Sequence, residues 1–134
     1  MRRTFPAVIV ILVLAGVSAR AHHSYADFRL DQKVTVEGTL DELKYANPHV
    51  VLKIRTAEGI VYSAEWQAAS WLQFYAHVTL TTLRAGDHVI VTGAPSRDPA
   101  SRALVRLKEV RRPSDGWTYQ VVPEPSIEPP RPRR

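Results

Sequence analysis

The sequence predicts an all-β fold: a small OB-like five-stranded barrel with one short helix between strands 3 and 4. Three observations carry that expectation. From residue 33 onward the hydrophobic period is mostly 2, the alternation of half-buried strands. The strand-like runs are short and are punctuated by turn residues. A single turn-free stretch interrupts them after the third run, where an OB barrel carries its helix. A generic small β-sandwich or an open half-barrel is the alternative architecture for the same strands.

Taken in order, "KVTVEGTLDEL" sets Val34, Val36, Gly38 and Leu40 against Thr35, Glu37, Thr39 and Asp41. That is a strand with one buried face, and Gly38 within it predicts a bulge or a sharp bend. "YANPH" is a turn, because Asn47-Pro48 favours turn initiation and Pro48 has no N–H for a ladder. "HVVLKIRT" is the second strand, with Val50, Leu52 and Ile54 on one face; "AEGI" is a hairpin turn and "IVYSAEW" the third strand. "QAASWLQFYA" has no turn residue and makes a short helix with Trp71, Leu72 and Tyr75 on one side. "RAGDH" leads into "HVIVTGAP", the fourth strand; "SRDPASR" is a polar loop and "ALVRLKEV" the fifth strand. "DGWTYQVV" adds a short sixth.

At 134 residues the chain holds one domain with room for a core. The sequence divides into a signal peptide (1–21), a lead-in (22–32), the barrel domain (33–121) and a Pro-rich tail (122–134) with five prolines in thirteen residues. The leader has a positive start at Arg2 and Arg3, the apolar run "FPAVIVILVLAGV", and Ala19-Arg20-Ala21 as a peptidase site. The run is short for a membrane span, which needs about 20 apolar residues, so no transmembrane anchor is expected after cleavage. "RRTF" has a faint twin-arginine look, but the very apolar run favours the general secretion route. The expected compartment is the periplasm.

Composition removes several function classes. Cysteine is absent, which excludes disulfides, thiolate metal sites, a cysteine nucleophile and a lipidated-cysteine anchor. The formal charge is +5, but three arginines lie in the leader, leaving 15 basic against 13 acidic groups after residue 21. That balance gives no electrostatic footprint for nucleic acid. There is no nucleophile elbow, no ordered Ser–His–Asp set and no glycine-rich phosphate loop, and the carboxylates Asp27, Glu37, Asp41, Glu42 and Glu65 are not paired as acid and base. No enzyme activity is expected.

"AHHSYADF" behind the leader, "NPHVVLKI", "AEW", "LRAGDHVIVTGAPSRD" and the late "VRLKEV" together resemble a family of small exported proteobacterial proteins of unknown function. The post-leader HHS[YF] paired with NPH is the most specific part of the likeness. The resemblance implies export and a β-barrel-like domain, and brings no activity. It also implies a glycine a few residues before "LRAGD", where this chain has Ala76-His77.

The candidate site residues are His22, His23 and His49, as ligands of a divalent metal. Cleavage after Ala21 makes His22 the first residue, with an α-amine (pKa about 7.7–8.0) and an imidazole (about 6.5) that close a chelate ring. A third nitrogen from His49, or from His23, makes a nitrogen-rich planar set that suits Cu(II); Zn(II) takes the same ligands tetrahedrally. The competing interpretation is structural: Tyr25 and Phe28 staple the lead-in to the barrel, and His49 bonds a turn carbonyl. His88 reads as a turn histidine and His77 as a helix-end histidine. Two function classes follow: an exported metal-binding protein, or an OB-like interaction module that binds a small molecule, glycan or envelope protein through Tyr45, Tyr62, Trp66, Trp71 and Tyr75.

Overall fold

Residues 25–121, the part of the chain that the computed structural model describes, form six strands and one α-helix. They are β1 (Val34–Lys44), β2 (Val51–Arg55), β3 (Val61–Glu65), α1 (Ala69–Ala76), β4 (His88–Pro95), β5 (Ala103–Arg112) and β6 (Trp117–Gln120). The sheet order is β3-β2-β1-β4-β5-β6. Neighbours are antiparallel, except that β3 also pairs parallel with β5 through Ser63↔Ala103 and Ala64↔Leu104. That last pairing closes the first five strands into a barrel, with the helix between β3 and β4 as the periodicity predicted. β6 is a hairpin extension of β5 outside the closure.

Closure depends on β1, which is long enough to serve two neighbours. Its first half pairs with β4 (Val34↔Gly93 to Thr39↔His88) and its second half with β2 (Thr39↔Arg55 to Lys44↔Val51). The bend between the halves is a bulge where the register shifts between Leu40 and Glu42, not at Gly38 as the sequence suggested. Gly38 answers a different need. A Cβ there would run into the backbone carbonyl of Arg55, so the crossing of β1 with the end of β2 admits only glycine.

The alternating faces pack as expected: Leu40, Leu52, Ile54, Val89, Val91 and Leu104 are fully buried. Each such side chain contributes about 1.5–3 kcal/mol relative to exposure. The helix covers one end of the barrel with Ala69 and Leu72. Here the periodicity misled, because Trp71 (40% exposed) and Tyr75 (66%) do not share the buried side with Leu72. At 100° per residue the core-facing arc is 69, 72 and 76, and residues 71 and 75 fall on its flank. The helix ends in a left-handed residue, His77 (φ 55°, ψ 26°), with the Val78 N–H donating to the Leu72 carbonyl at 3.0 Å. This is the position glycine usually fills.

Candidate functional site

The "NPH" turn is a clasp between the β1–β2 connection and the start of α1. Ala68, at the helix N-cap, makes no side-chain cap bond. The acceptor comes instead from Asn47, whose Oδ1 takes the Ser70 N–H at 3.1 Å and the Ser70 hydroxyl at 3.2 Å. The Asn47–Pro48 peptide is cis. Just after the turn, Val50 ties the loop to the end of β3: its N–H donates to the Gln67 carbonyl (3.0 Å) and its carbonyl accepts from the Trp66 N–H (2.8 Å). The Tyr45 hydroxyl lies between the carbonyls of Ala69 (3.0 Å) and Val78 (2.8 Å), and burial raises its pKa above the ordinary 10.0. Asn47 and Tyr45 thus hold both ends of the helix.

His49 completes the clasp. Its Nδ1 is 3.2 Å from the Trp66 carbonyl and 3.4 Å from Glu65 Oε1. With the Nδ1 proton directed at those oxygens, Nε2 keeps its lone pair, and the residue is about one-third exposed at 35%. Among the described residues no group of three or more His, Asp or Glu side chains is placed to hold a metal ion. His22 and His23, the other predicted ligands, lie outside the described residues. His88 puts Nε2 2.8 Å from Glu37 Oε1 across the β1–β4 pair, and both side chains are exposed. His77 serves the helix end through its backbone.

A concavity lies elsewhere, beside β5 near the seam where the barrel closes. β3 pairs with β5 at Ala103 and Leu104 before the chain turns away into α1, and β6 with the residue after it holds β5 from Lys108 onward, where the Val121 N–H donates to the Lys108 carbonyl at 2.9 Å. Around the gap between these pairings Arg106, Leu107 and Lys108 line an open groove with a cavity volume of about 960 Å³. Trp71 and Tyr75 of α1, Trp117 and Tyr119 of β6, and Tyr25 of the lead-in also line it. The strand is bulged here, since Thr92↔Glu109 is followed by Ala94↔Val105. The bulge places Arg106 in the left-handed region at φ 50°, an uncommon conformation for a residue with a Cβ, in the groove wall. The Arg106 guanidinium stacks on the Tyr25 ring at 4.5 Å. Trp71 and Tyr75 are 5.4 Å apart between centroids, and Phe74 meets Tyr75 edge-on at 5.0 Å.

Tyr119 lines the groove, but its hydroxyl is buried. Tyr119 packs edge-to-face on buried Trp66 at 4.8 Å. Neither the Tyr119 hydroxyl nor Trp66 Nε1 finds a well-formed hydrogen bond among the described residues. Burial raises the Tyr119 pKa, with the adjacent Trp66 and Gln67 side chains partly offsetting the rise. The lead-in is stapled as the structural interpretation held. Phe28 bridges Ser96, the Arg29 N–H donates to the Pro95 carbonyl (2.8 Å), and Arg97 Nε donates to the Ala26 carbonyl (2.8 Å).

Of the predicted aromatic face, Trp71 and Tyr75 reach the groove, Trp66 is core, and Tyr45 and Tyr62 pack against the core. Arg106, Lys108 and Trp117 were not foreseen. Their one trace in the sequence is the adjacent pair Leu104-Val105, both buried, which breaks the alternation of β5 and signals a bulge.

Residues 10–105 match a family of unknown function (DUF6152), and the chain belongs to that family. No curated protein matches it. Among the described residues no helix is long and apolar enough to cross a membrane.

Proposed function

We propose that this chain is an exported periplasmic binding protein whose barrel seam takes an extended, acidic peptide segment of an envelope partner. The observation that carries this reading is Arg106, held left-handed at a bulge and stacked on Tyr25, beside aromatic walls and a stretch of β5 that neither β3 nor β6 pairs. An open strand edge offers backbone groups to an extended peptide, the aromatic rings give it apolar area, and Arg106 and Lys108 answer its carboxylates. The test is titration with a blocked hexapeptide of alternating valine and glutamate, followed by tryptophan fluorescence. Saturable quenching lost on Trp71→Ala and weakened at least tenfold on Arg106→Ala supports the reading, and no quenching in the native chain refutes it.

A second reading, a Cu(II) or, less favoured, a Zn(II) site, is supported by one observation: His49 Nδ1 is held by the Trp66 carbonyl and Glu65. Metal-bound histidines commonly direct their second nitrogen at a carbonyl or carboxylate in this way. His22, through its α-amine and imidazole, and His23 would supply the remaining nitrogens after cleavage behind Ala21. Calorimetry on the processed protein tests it. A one-to-one sub-micromolar site lost on His49→Ala, or on adding one residue before His22, supports the site, and binding indifferent to both changes sinks it.

A further inference from the structure

Helix α1 carries two apolar faces, and the barrel buries only one of them. At about 100° per residue, Ala69, Leu72 and Ala76 share the arc packed on the barrel end. Phe74 lies almost opposite that arc, and Trp71 and Tyr75 fill the space between on one side. Phe74 is 76% exposed, the most of any large hydrophobic side chain among the described residues, and Leu80 in the turn after the helix is 62% exposed. The three rings form one cluster, with Tyr75 in contact with both Trp71 and Phe74. Residues 66–83 contain no Asp, Glu, Lys or Arg, so no charge of the segment itself interrupts this face. The charges beside it are cations. Arg106 and Lys108, both exposed, line the groove together with Trp71 and Tyr75, and no acidic residue lines it. An exposed apolar patch of this kind marks contact with a protein or a membrane. A protein partner would have to offer a pocket shaped to the protruding Phe74, whereas a fluid lipid interface admits the ring without one. Trp and Tyr favour the headgroup level, where ring and polar tip are both satisfied, and cations next to them attract anionic headgroups.

We infer that this chain docks on an anionic phospholipid surface through the exposed aromatic face of α1. The helix lies in the plane of the interface: Phe74 enters the acyl boundary, Trp71 and Tyr75 sit at headgroup depth, and Arg106 and Lys108 meet the phosphates. The lipid face shares those two cations with the peptide groove but not Phe74, which does not line the groove. Phe74 therefore separates the two readings.

The test uses the processed chain, His22 to Arg134, which keeps every strand and the helix and omits the apolar run of residues 5–17 as a source of binding. The probes are vesicles of phosphatidylcholine alone and of phosphatidylcholine mixed with phosphatidylglycerol, with binding read by co-sedimentation. Brominated phosphatidylcholine, which quenches an indole it touches, reports the depth of Trp71. The native chain should sediment with the mixed vesicles more than with the neutral ones, and the preference should fade at high salt. Brominated lipid should quench its tryptophan emission, and Trp71→Phe should remove most of that quenching while the chain still sediments. Phe74→Ser, which leaves Ala69, Leu72 and Ala76 in the core, should weaken vesicle binding about tenfold and leave titration with the valine–glutamate hexapeptide unchanged. The inference is overturned if the native chain ignores the mixed vesicles, if Phe74→Ser binds them as the native chain does, or if bound chain shows no quenching of Trp71. Dimerisation of the native chain in place of vesicle binding, lost in Phe74→Ser, overturns it too and assigns the face to a second copy. Vesicle failure with intact hexapeptide binding removes the lipid face and leaves the groove reading standing.

Discussion

Replacing Asn47 by alanine tests whether the "NPH" turn is a structural clasp. The substitution removes the acceptor that Ser70 N–H uses at 3.1 Å, at the start of an eight-residue helix whose own N-cap, Ala68, supplies no side-chain bond. Loss of a side-chain cap costs about 0.5–2 kcal/mol, typically about 1. The second contact, to the exposed Ser70 hydroxyl at 3.2 Å, adds little. The expected loss is therefore about 1–1.5 kcal/mol, or a fall in Tm of about 5–10 °C for a domain of this size. Urea denaturation with an unchanged slope measures it. Asn47→Asp keeps the oxygen and places a negative charge at the helix N-terminus, so it should match or exceed the native stability by a few tenths of a kcal/mol. The reasoning is refuted if Asn47→Ala stays within about 0.3 kcal/mol of native, or if Asn47→Asp is as costly as alanine. Trp71 directly follows Ser70, so the same alanine variant should bind the valine–glutamate hexapeptide a few-fold more weakly.

Three further outcomes follow from the packing. Arg112 donates to the Thr82 carbonyl (2.7 Å) and Asp87 (3.0 Å), and through two nitrogens to Asp115, tying the β5–β6 turn to the loop before β4. Arg112→Ala should cost about 2–4 kcal/mol by urea titration, since charged hydrogen bonds contribute more than neutral ones. Arg112 holds the Asp115 carboxyl below its ordinary pKa of 3.8, so that part of the stability is intact above pH 3.8 and is lost as pH falls further; an acid titration of Arg112→Ala should lack the corresponding loss. Tyr119→Phe removes a buried hydroxyl that lacks a partner, and should be neutral or stabilise by up to about 1 kcal/mol. The Tyr119 pKa is raised, so its stability is intact below pH 10.0 and is lost as pH rises through the folded value; thermal melts at rising pH should show Tyr119→Phe losing less. His77→Gly relieves a left-handed residue at φ 55° and should raise stability by about 1 kcal/mol in urea denaturation; a loss would mean that the imidazole itself is needed.

The groove also changes what the aromatic residues mean. In an OB barrel the usual ligand surface is the face of strands 2 and 3 with its flanking loops. In this chain the β1–β2 loop is committed to capping α1 through Asn47, and the β4–β5 loop is engaged with the lead-in through Arg97. The groove instead lies beside β5, where β6 adds Trp117 to the lining.

How much of this is legible along the chain depends on the range of the interaction involved. Strand periodicity, turn residues and the single turn-free stretch are local properties, and they were sufficient for the five-stranded barrel, the helix between β3 and β4, and the full extent of β4 at His88–Pro95. The choice of closure required tertiary structure, because the parallel β3–β5 pairing joins residues 40 positions apart, such as Ser63 and Ala103. The role of Gly38 was likewise set by a neighbour distant in sequence, the Arg55 carbonyl, and not by a bulge of its own. The same limit explains the site. Asn47 reads as a turn former until α1 is placed against it, and Arg106, exposed as the alternation implies, gains its left-handed backbone from the bulge and its stacking partner from Tyr25 only in the folded chain. Alternation records which residues face the core; which of the outward-facing ones converge is decided only when strands distant in sequence meet.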